Sequence, residues 1–360
     1  MKRSKLLLLS IILGLLISAL PTISAYAGVS TNPTFELDAT NPNSLTTSSP
    51  AYWYDLVSNG SIFGTLVNSP TYSNVDGGVL VFSGSGNTGI NFGAQAIGHA
   101  TNPSGSMTLE TWIKFTSWSS TWNIFATRWF VNLAGNGTPS DFHFSVKNNG
   151  STRRLNLYTT STADIYGDKD LSLNTWYLLG FTLNNSTQEL QFYINGQPDG
   201  STKTSISRTA NASNMLFVGD PRTACNACSF NGQMSKFRMW NSALTSSQML
   251  SNFRSEGANF GYSTTTTLSA ATSPNPNYRT ANLITATVSK PGKVTFYQQG
   301  VVIPGCKNKS ATTTTATCNW KPSRRGKISV TASLIPTDLG FVPSSGSINF
   351  HVLNRSGSRS

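Results

Sequence analysis

Hydrophobic and polar residues alternate in short stretches along most of this chain, which is the pattern of β-strands that have one buried face. The clearest stretch runs from Met107 to Phe115, where every second side chain, beginning with Met107, points to one side. Glu110, Trp112 and Lys114 point to the other side. This alternation predicts a long strand whose first face lies in the core of the protein.

Many further stretches of this kind are separated by turn residues, which predicts an all-β fold. The stretches before residue 263 are 35–39, 78–82, 90–92, 142–146, 154–158, 176–183, 189–194, 215–218 and 234–240. Asn195-Gly196 is a strong hairpin-turn signal. One helix is predicted, because Thr245 and Gln248 have the spacing of a capping box. Trp112 and Trp176 lie in mid-strand, so we expect both in the core of a sandwich.

A series of motifs, in a fixed order, makes the first part of the chain resemble the bacterial laminin-G-like (concanavalin A-like) jelly rolls. The motifs lie at 37–42, 53–60, 64–68, 78–82, 109–113, 174–177, 190–196, 230–240 and 243–248. The resemblance extends from Thr34 to about Tyr262. It implies an antiparallel jelly-roll β-sandwich over residues 28–262.

The rest of the chain, residues 263–360, has a different composition. Residues 263–278 are rich in Ser, Thr, Pro and Asn and are predicted to be a linker that merges into a first strand. Predicted strands follow at 281–288, 293–297, 315–320, 327–332 and 347–352. The stretch Gly292–Tyr297 resembles the immunoglobulin-like repeats of bacterial surface proteins, which implies a C-terminal immunoglobulin-like β-sandwich.

The first 27 residues have the order of a secretory signal peptide. Lys2, Arg3 and Lys5 precede a mostly apolar run from Leu6 to Leu20, and Ala25-Tyr-Ala27 follows. An uncleaved N-terminal anchor is the alternative. We therefore expect a secreted or cell-surface protein that begins at Gly28 after cleavage and has no transmembrane segment.

The positive charge of the chain is concentrated in its C-terminal part. Residues 28–262 contain twelve Lys and Arg against thirteen Asp and Glu, whereas residues 263–360 contain eleven against one. Lys321, Arg324, Arg325 and Lys327 form a basic patch that could hold the protein to an anionic cell-envelope polymer. A solvated positive face is the alternative, and nucleic acid is not expected as a partner because no nucleic-acid-binding motif is present.

Four cysteines in an exported protein should be oxidised. Cys225 with Cys228 and Cys306 with Cys318 are the simplest pairs, one pair in each domain, although four cysteines allow three connectivities. A thioredoxin-like site is not expected at Cys225-Asn-Ala-Cys228, because no helix is predicted to begin there to stabilise a thiolate. The domain also lacks a second Cys pair for zinc.

Calcium is the one cofactor that the sequence brings into consideration. Asp164, Asp168 and Asp170 lie in one predicted loop, and carboxylate oxygens suit a hard cation such as Ca²⁺. A solvated acidic loop, partly neutralised by Lys169, is the alternative. Members of the resembled family bind Ca²⁺ near the sheet rim, which makes Asp38 a second candidate ligand.

Three tryptophans are the candidate ligand-binding residues. Trp118 and Trp122 lie in a polar stretch after a strand, and Trp129 follows. Exposed indole rings can stack on sugar rings. The alternative is that these side chains cover an edge of the sandwich.

No catalytic residues are predicted. Retaining glycoside hydrolases need two carboxylates facing one cleft, and Glu36 and Asp38 are the only acidic pair at alternate strand positions in the first domain. We therefore expect a non-catalytic recognition protein that binds an extracellular glycan or surface ligand, with Ca²⁺ as a candidate cofactor. The alternatives are an adhesion module that binds proteins and a divergent glycoside hydrolase.

Overall fold

The computed structural model describes residues 31–46, 51–84, 87–94, 105–119, 121–128, 141–159, 162–209, 214–223, 228–271 and 275–354. The predicted signal peptide, Trp129 and Cys225 lie outside these residues, so those predictions remain predictions. The described part is almost entirely β-structure in antiparallel sheets, which confirms the predicted all-β fold.

Two eight-stranded sheets form the N-terminal sandwich. The strands of the first sheet, in spatial order, are β14 (Gln197–Pro198), β13 (Glu189–Ile194), β12 (Trp176–Asn184), β7 (Met107–Ser117), β16 (Asn231–Trp240), β5 (Val79–Ser83) and β4 (Thr71–Ser73), and β1 (Phe35–Asp38) also pairs with β16. The strands of the second sheet are β11 (Thr162–Tyr166), β10 (Thr152–Thr159), β9 (Phe142–Asn149), β8 (Trp122–Thr127), β15 (Phe217–Gly219), β6 (Gly89–Asn91), β3 (Phe63–Val67) and β2 (Tyr52–Tyr54).

The core of this sandwich lies between the two sheets, and β7 contributes the face that its alternation predicts. Met107, Leu109, Ile113 and Phe115 are buried there against the second sheet. The expected position of Trp112 and Trp176 is wrong, however. Both lie on the opposite face of the first sheet, in a smaller apolar cluster with Phe253 and Phe260, because a helix covers that face.

The helix is α1 (Ser246–Glu256), and it begins at the predicted capping box. Thr245 Oγ1 accepts the backbone N–H of Gln248, and the Gln248 side chain accepts the backbone N–H of Thr245. Short 3-10 helices occupy Val75–Gly77 and Gly257–Phe260. No helix in the part of the chain that the structure describes is long and apolar enough to cross a membrane.

The predicted hairpin turn at Asn195-Gly196 is confirmed, since both residues have positive φ (54° and 71°). A Cβ added to Gly196 would also lie 2.7 Å from the Leu250 Cα. The turn therefore needs glycine twice, for its backbone conformation and for its close approach to α1.

A second sandwich with its own core follows. One sheet consists of β17 (Thr266–Ala270), β18 (Asn282–Val288) and β22 (Thr315–Trp320), and the other of β20 (Val301–Val302), β19 (Gly292–Gln298), β23 (Gly326–Pro336) and β24 (Ser344–Val352), with β21 (Lys309–Ala311) paired to β19. Thr266–Ala270 is thus a strand and not part of a linker. The Cys306–Cys318 disulfide is confirmed. The assignment of this sandwich to the immunoglobulin-like class stays a prediction.

The two sandwiches touch directly at Tyr262. The Val342 N–H donates to the Tyr262 carbonyl oxygen at 2.8 Å, and Thr264 Oγ1 donates to the Val342 carbonyl oxygen at 2.7 Å. The Tyr262 ring lies 6.3 Å from that of Phe341, between centroids, and its hydroxyl donates to the Trp176 carbonyl oxygen. Tyr262 therefore contacts both sandwiches.

Candidate functional site

The outer face of the second sheet carries the candidate site. Along β9, Phe142, Phe144 and Val146 lie in the core, so the alternate residue Lys147 points outward. The pairing register places Lys147 opposite Trp122 of β8 on one side and opposite Arg154 of β10 on the other. An outward row of side chains therefore crosses three neighbouring strands.

Four residues of this face form what we call the aromatic platform: Trp122, Lys147, Asp164 and Tyr166. The Lys147 Nζ lies 4.1 Å from the Trp122 ring centre and 5.8 Å from that of Tyr166. It also forms an ion pair with Asp164. The Tyr166 hydroxyl donates to Asp164 Oδ2 at 3.0 Å, and Asn156 Nδ2 donates to Asp164 Oδ1 at 3.3 Å. Every member of the platform is thus held by another member or by Asn156.

The electrostatics of the platform keep Lys147 charged. Burial lowers its pKa, but the hydrogen bonds and charges of Asp164 and Tyr166 outweigh burial, so that the pKa of Lys147 is raised. Tyr166 is 36% exposed and Trp122 is half-buried. The arrangement therefore offers the exposed ring of Tyr166 and the partly exposed ring of Trp122, which Lys147 covers on one face, beside fixed polar groups. Aromatic rings and polar groups together are the combination that binds the apolar faces and the hydroxyls of sugars.

Of the three predicted tryptophans, Trp118 and Trp122 do not share one surface, and Trp129 lies outside the described residues. Trp118 packs against Phe115 at the edge of the core, with a centroid distance of 4.9 Å, which agrees with the edge-covering alternative. Trp122 is the one that faces outward beside Lys147. Lys147, Tyr166 and Asn156 were not among the residues predicted from the sequence. Strand alternation could have marked them as outward, but only the register shows that they meet.

The predicted calcium ligands are also separated. Asp164 is paired with Lys147, and Asp170 accepts the Arg153 backbone N–H at 2.8 Å. Asp168 lies 3.5 Å from the Lys203 ammonium. Asp38 is paired with Lys236 at 2.9 Å. Across the described ranges, no group of three or more His, Cys, Asp or Glu residues is close enough to hold a metal ion.

A cluster of glutamates surrounds Arg238 on the other face of the first sheet, beneath α1. Arg238 Nε lies 2.9 Å from Glu36 and Nη1 lies 2.8 Å from Glu110, while Nη2 pairs with Glu256. Asn252 of α1 donates to Glu110 at 3.1 Å. We call Glu36, Glu110, Glu256 and Arg238 the glutamate–arginine cluster. It binds the helix to the sheet through charge-assisted hydrogen bonds.

The members of this cluster differ in their pKa values. Burial raises the pKa of Glu110 to about 7, against the opposing effects of Arg238 and Asn252. Glu256 is also buried, but Arg238 and Lys236 together hold the pKa of its carboxyl below the usual range. Glu110 is 1% exposed, so a sugar could reach it only if α1 moved.

A second buried charge group connects β8, β9 and the segment that follows β14. Asp141 accepts from Arg128 Nη1 and from Arg208 Nη1, each at 2.7 Å. All three side chains are buried. This group ties loop residues to the sandwich, because the one carboxylate of Asp141 pairs with both guanidinium groups.

The predicted basic patch lies at the surface of the second sandwich. Lys321, Arg324, Arg325 and Lys327 are all exposed. Cys228 is buried, while its predicted partner Cys225 lies outside the described ranges. What the basic patch binds stays a prediction.

Comparison with solved structures finds chains of similar fold at low identity. This chain resembles domain 4 of AbnA, an extracellular GH43 arabinanase from Geobacillus stearothermophilus in complex with arabinotriose (17% identity, 61% of this chain and 96% of that chain, TM-score 0.44). It also resembles Trypanosoma rangeli sialidase in complex with sialic acid (14% identity, 62% of this chain and 33% of that chain, TM-score 0.44). A SAP-like pentraxin from Limulus polyphemus matches as well (18% identity, 41% of this chain and 68% of that chain, TM-score 0.33). The match spans about a third of the sialidase chain, and no curated protein matches in sequence.

These comparisons correct our prediction that the protein is a non-catalytic recognition protein. That prediction is wrong as it was made, because two of these similar structures come from glycoside hydrolases, an arabinanase and a sialidase. At these identities the likeness shows the fold alone, so it assigns no substrate or reaction to this chain.

The sequence profile of one family matches residues 70–249, which is half of the chain and contains most of both N-terminal sheets. The matched range includes all of the aromatic platform. A concanavalin A-like fold suggests carbohydrate binding. By this match, the chain belongs to the concanavalin A-like lectin/glucanases superfamily.

Proposed function

We propose that this protein acts on glycans and that its jelly roll holds a polysaccharide chain on the aromatic platform. The observation that supports the proposal is the position of Lys147, fixed 4.1 Å from the Trp122 ring centre and 5.8 Å from the Tyr166 ring centre. Asp164 and Asn156 add polar atoms next to the rings. Two rings on the same face of the sheet, one on β8 and one on β11, provide contact area for successive sugar units.

Binding to a panel of polysaccharides tests this proposal, with the whole chain from Gly28. Trp122→Ala and Tyr166→Ala should each weaken binding to the preferred glycan by about tenfold, as expected for an aromatic anchor. Tyr72→Ala is the matched control, because Tyr72 is an exposed ring on β4 of the other sheet. Binding that survives both platform variants would overturn the proposed site. Binding to proteins but to no glycan would favour the adhesion alternative.

Glycoside hydrolysis is a second candidate, and Glu110 is the observation that favours it. A carboxyl with a pKa of about 7 can donate a proton near neutral pH, which is the task of the general acid in this reaction. Glu256 forms an ion pair with Arg238, which also pairs with Glu110, and the lowered pKa of Glu256 keeps its carboxyl ionised. Release of reducing ends from the bound glycan, abolished by Glu110→Gln while binding persists, would support it. Equal release by wild type and Glu110→Gln would exclude Glu110 as the acid.

We also propose Ca²⁺ as a cofactor, with a ligand set that differs from the predicted one. Asp199 accepts the Lys169 backbone N–H at 2.9 Å, and its other oxygen, Oδ2, is buried with no hydrogen-bond partner among the described residues. A Cβ added to Gly200, the next residue, would lie 2.2 Å from an oxygen of the exposed Asp168. An orphaned carboxylate oxygen near a second carboxylate fits a hard cation that also keeps waters.

The calcium proposal is tested by thermal unfolding in Ca²⁺ and in EDTA. Calcium should raise the melting temperature of the wild type and leave that of Asp199→Asn unchanged, since a ligand stabilises the state that binds it. Asp164→Asn is the control, because Asp164 is paired with Lys147. A wild type that melts at the same temperature in both buffers would show that Ca²⁺ is not a cofactor of this protein.

Export is part of the same proposal. A polysaccharide-binding protein with a basic head and an apolar run at its N-terminus is expected outside the cell, either secreted or held at the surface. N-terminal sequencing of the protein recovered from the producing cells should begin at Gly28. A protein that begins at Met1 and sediments with membranes would support the uncleaved anchor.

A further inference from the structure

The end of the second sandwich that lies away from Tyr262 gathers the positive charge of the chain. Three turns meet there, because β22 ends at Trp320, β23 begins at Gly326, and the Arg279 N–H donates to the Pro322 carbonyl oxygen at 3.1 Å. These turns carry five exposed cations, which we call the basic tip: Arg279, Lys321, Arg324, Arg325 and Lys327.

No acidic side chain in the described part of the chain forms an ion pair with the basic tip. Between residues 275 and 354 the chain has nine Lys and Arg but only one acidic residue, Asp338. Asp338 lies at the opposite end, where its side chain accepts the Gly340 N–H and its carbonyl oxygen accepts the Phe341 N–H. None of the nine cations forms an ion pair within residues 275–354. The basic tip therefore carries a positive potential that attracts anions from outside the protein.

Two of the arginines are held in place. The Arg279 and Arg325 guanidinium carbons lie 5.2 Å and 5.0 Å from the Tyr278 ring centre, so one ring orders two like charges. Ordered guanidinium groups lose less entropy when they bind a carboxylate or sulfate than free side chains do. The basic tip is thus arranged for an anion before any ligand arrives.

A depression of ≈ 370 Å³ adjoins the basic tip, with Lys321 and Arg324 on its rim. Its polar lining is fixed by a chain of hydrogen bonds. Trp320 Nε1 donates to Gln298 Oε1 at 2.9 Å, and Gln298 Nε2 donates to Ser323 Oγ at 2.8 Å. Beside these polar groups, Val301 is 71% exposed. Amide and hydroxyl groups next to a small apolar surface can contact the hydroxyls and the ring carbons of a sugar.

From these observations we propose that the basic tip and the adjoining depression form a binding site for an anionic polysaccharide. Its acidic groups pair with Lys321, Arg324 and Arg325, and its sugar hydroxyls lie in the depression. Single-stranded nucleic acid fits less well, because it needs open aromatic rings on which bases stack. Trp320 is 0% exposed, and Tyr278 is half-buried beside two arginines. The site is separate from the aromatic platform and does not depend on it.

The test compares two triple variants of the whole chain from Gly28. One removes three charges of the basic tip (Lys321→Gln, Arg324→Gln and Arg325→Gln). The matched control removes three other charges of the same sandwich (Lys293→Gln, Lys307→Gln and Lys309→Gln), of which Lys293 and Lys309 lie on β19 and β21 toward the Tyr262 end. The probes are polygalacturonate, which carries carboxylates, dextran sulfate, neutral dextran, and single-stranded DNA of similar length.

The wild type should bind polygalacturonate or dextran sulfate, with affinity that falls as salt rises, and should not bind neutral dextran. The tip variant should lose at least about tenfold in affinity, and the control less than about threefold. The carboxylated and sulfated probes distinguish the two kinds of acidic group. Equal losses in both variants would show diffuse attraction instead of a site. Binding to DNA as tight as to the polysaccharides would overturn the proposal in favour of a general polyanion surface.

Discussion

Lys147 lies over the ring of Trp122, with its ammonium nitrogen 4.1 Å from the ring centre, and the same nitrogen is ion-paired with Asp164 on β11. This contact joins three strands of the second sheet through one side chain. The position of the Trp122 ring therefore depends on a carboxylate 42 residues further along the sequence.

Replacing Asp164 tests that dependence. Asp164→Asn removes the charge that raises the pKa of Lys147, so the pKa of Lys147 should fall. Glycan binding at the platform should weaken several-fold because the ring loses its fixed neighbour. An NMR titration of the lysine side chain measures the first effect. Asp168→Asn is the control, since Asp168 is paired with Lys203 instead, and an unchanged Lys147 titration in Asp164→Asn would contradict the account.

The buried group at Asp141 should dominate the stability of its region. Asp141→Asn leaves two buried guanidinium groups, those of Arg128 and Arg208, without their carboxylate. We expect a loss of about 3–5 kcal/mol in the free energy of unfolding, measured by chemical denaturation. The exposed pair of Asp168 and Lys203 provides the comparison, and Asp168→Asn should cost less than about 1 kcal/mol. Similar losses in both variants would contradict this account.

Glu110 should make the stability of the jelly roll depend on pH. Its pKa is about 7 in the folded state against an ordinary value of 4.5, so the folded protein binds the proton more tightly than the unfolded chain does. Stability from this residue is fully present below pH 4.5 and is lost as pH rises to about 7. Relative to Glu110→Gln, the wild type should therefore lose up to about 3 kcal/mol across this range.

Denaturation of both proteins between pH 4 and 8 measures this difference. The exposed Glu189→Gln is the control and should follow the wild type at every pH. Parallel curves for wild type and Glu110→Gln would show that Glu110 stays ionised on Arg238 throughout.

The disulfide should stabilise the second sandwich alone. Cys306 and Cys318 are 12 residues apart, and closing a loop of this size contributes about 3 kcal/mol in the chain-entropy description. In chemical denaturation, the double variant Cys306→Ala/Cys318→Ala should have a free energy of unfolding that is lower by about 3 kcal/mol. Glycan binding at the platform should not change. A loss below about 1 kcal/mol would contradict the entropic account.

The sequence predicts strands better than it predicts which face of a strand is covered. The alternation of β7 correctly puts Met107 and Leu109 in the core, and the capping box at Thr245 correctly begins α1. Trp112 lies on the opposite face of the same strand, where Phe253 of α1 packs against it. The alternation of buried and exposed residues along a strand does not show that a helix from the end of the domain covers the second face. The interpretation of Trp112 failed because this sheet is buried on both faces there.

The candidate site shows a related limit. Trp122 could be selected from the sequence because a large ring in a polar stretch is unusual. Its neighbours Lys147 and Tyr166 come from strands that meet through antiparallel pairing, and register depends on the whole sheet. The calcium ligands were predicted from closeness in sequence, but the same pairing directs Asp164 toward Lys147 and away from Asp168.

Tyr262 connects the two sandwiches through direct contacts with both of them. Because both sandwiches hold this residue by hydrogen bonds and ring contacts, their separation is not set by a flexible tether. Two ligands bound at the aromatic platform and the basic tip would be held at one spacing, and a polymer network with matching spacing would gain avidity from both contacts. A network with a different spacing would engage one contact at a time, so that the geometry of the junction selects among arrangements of the same sugars.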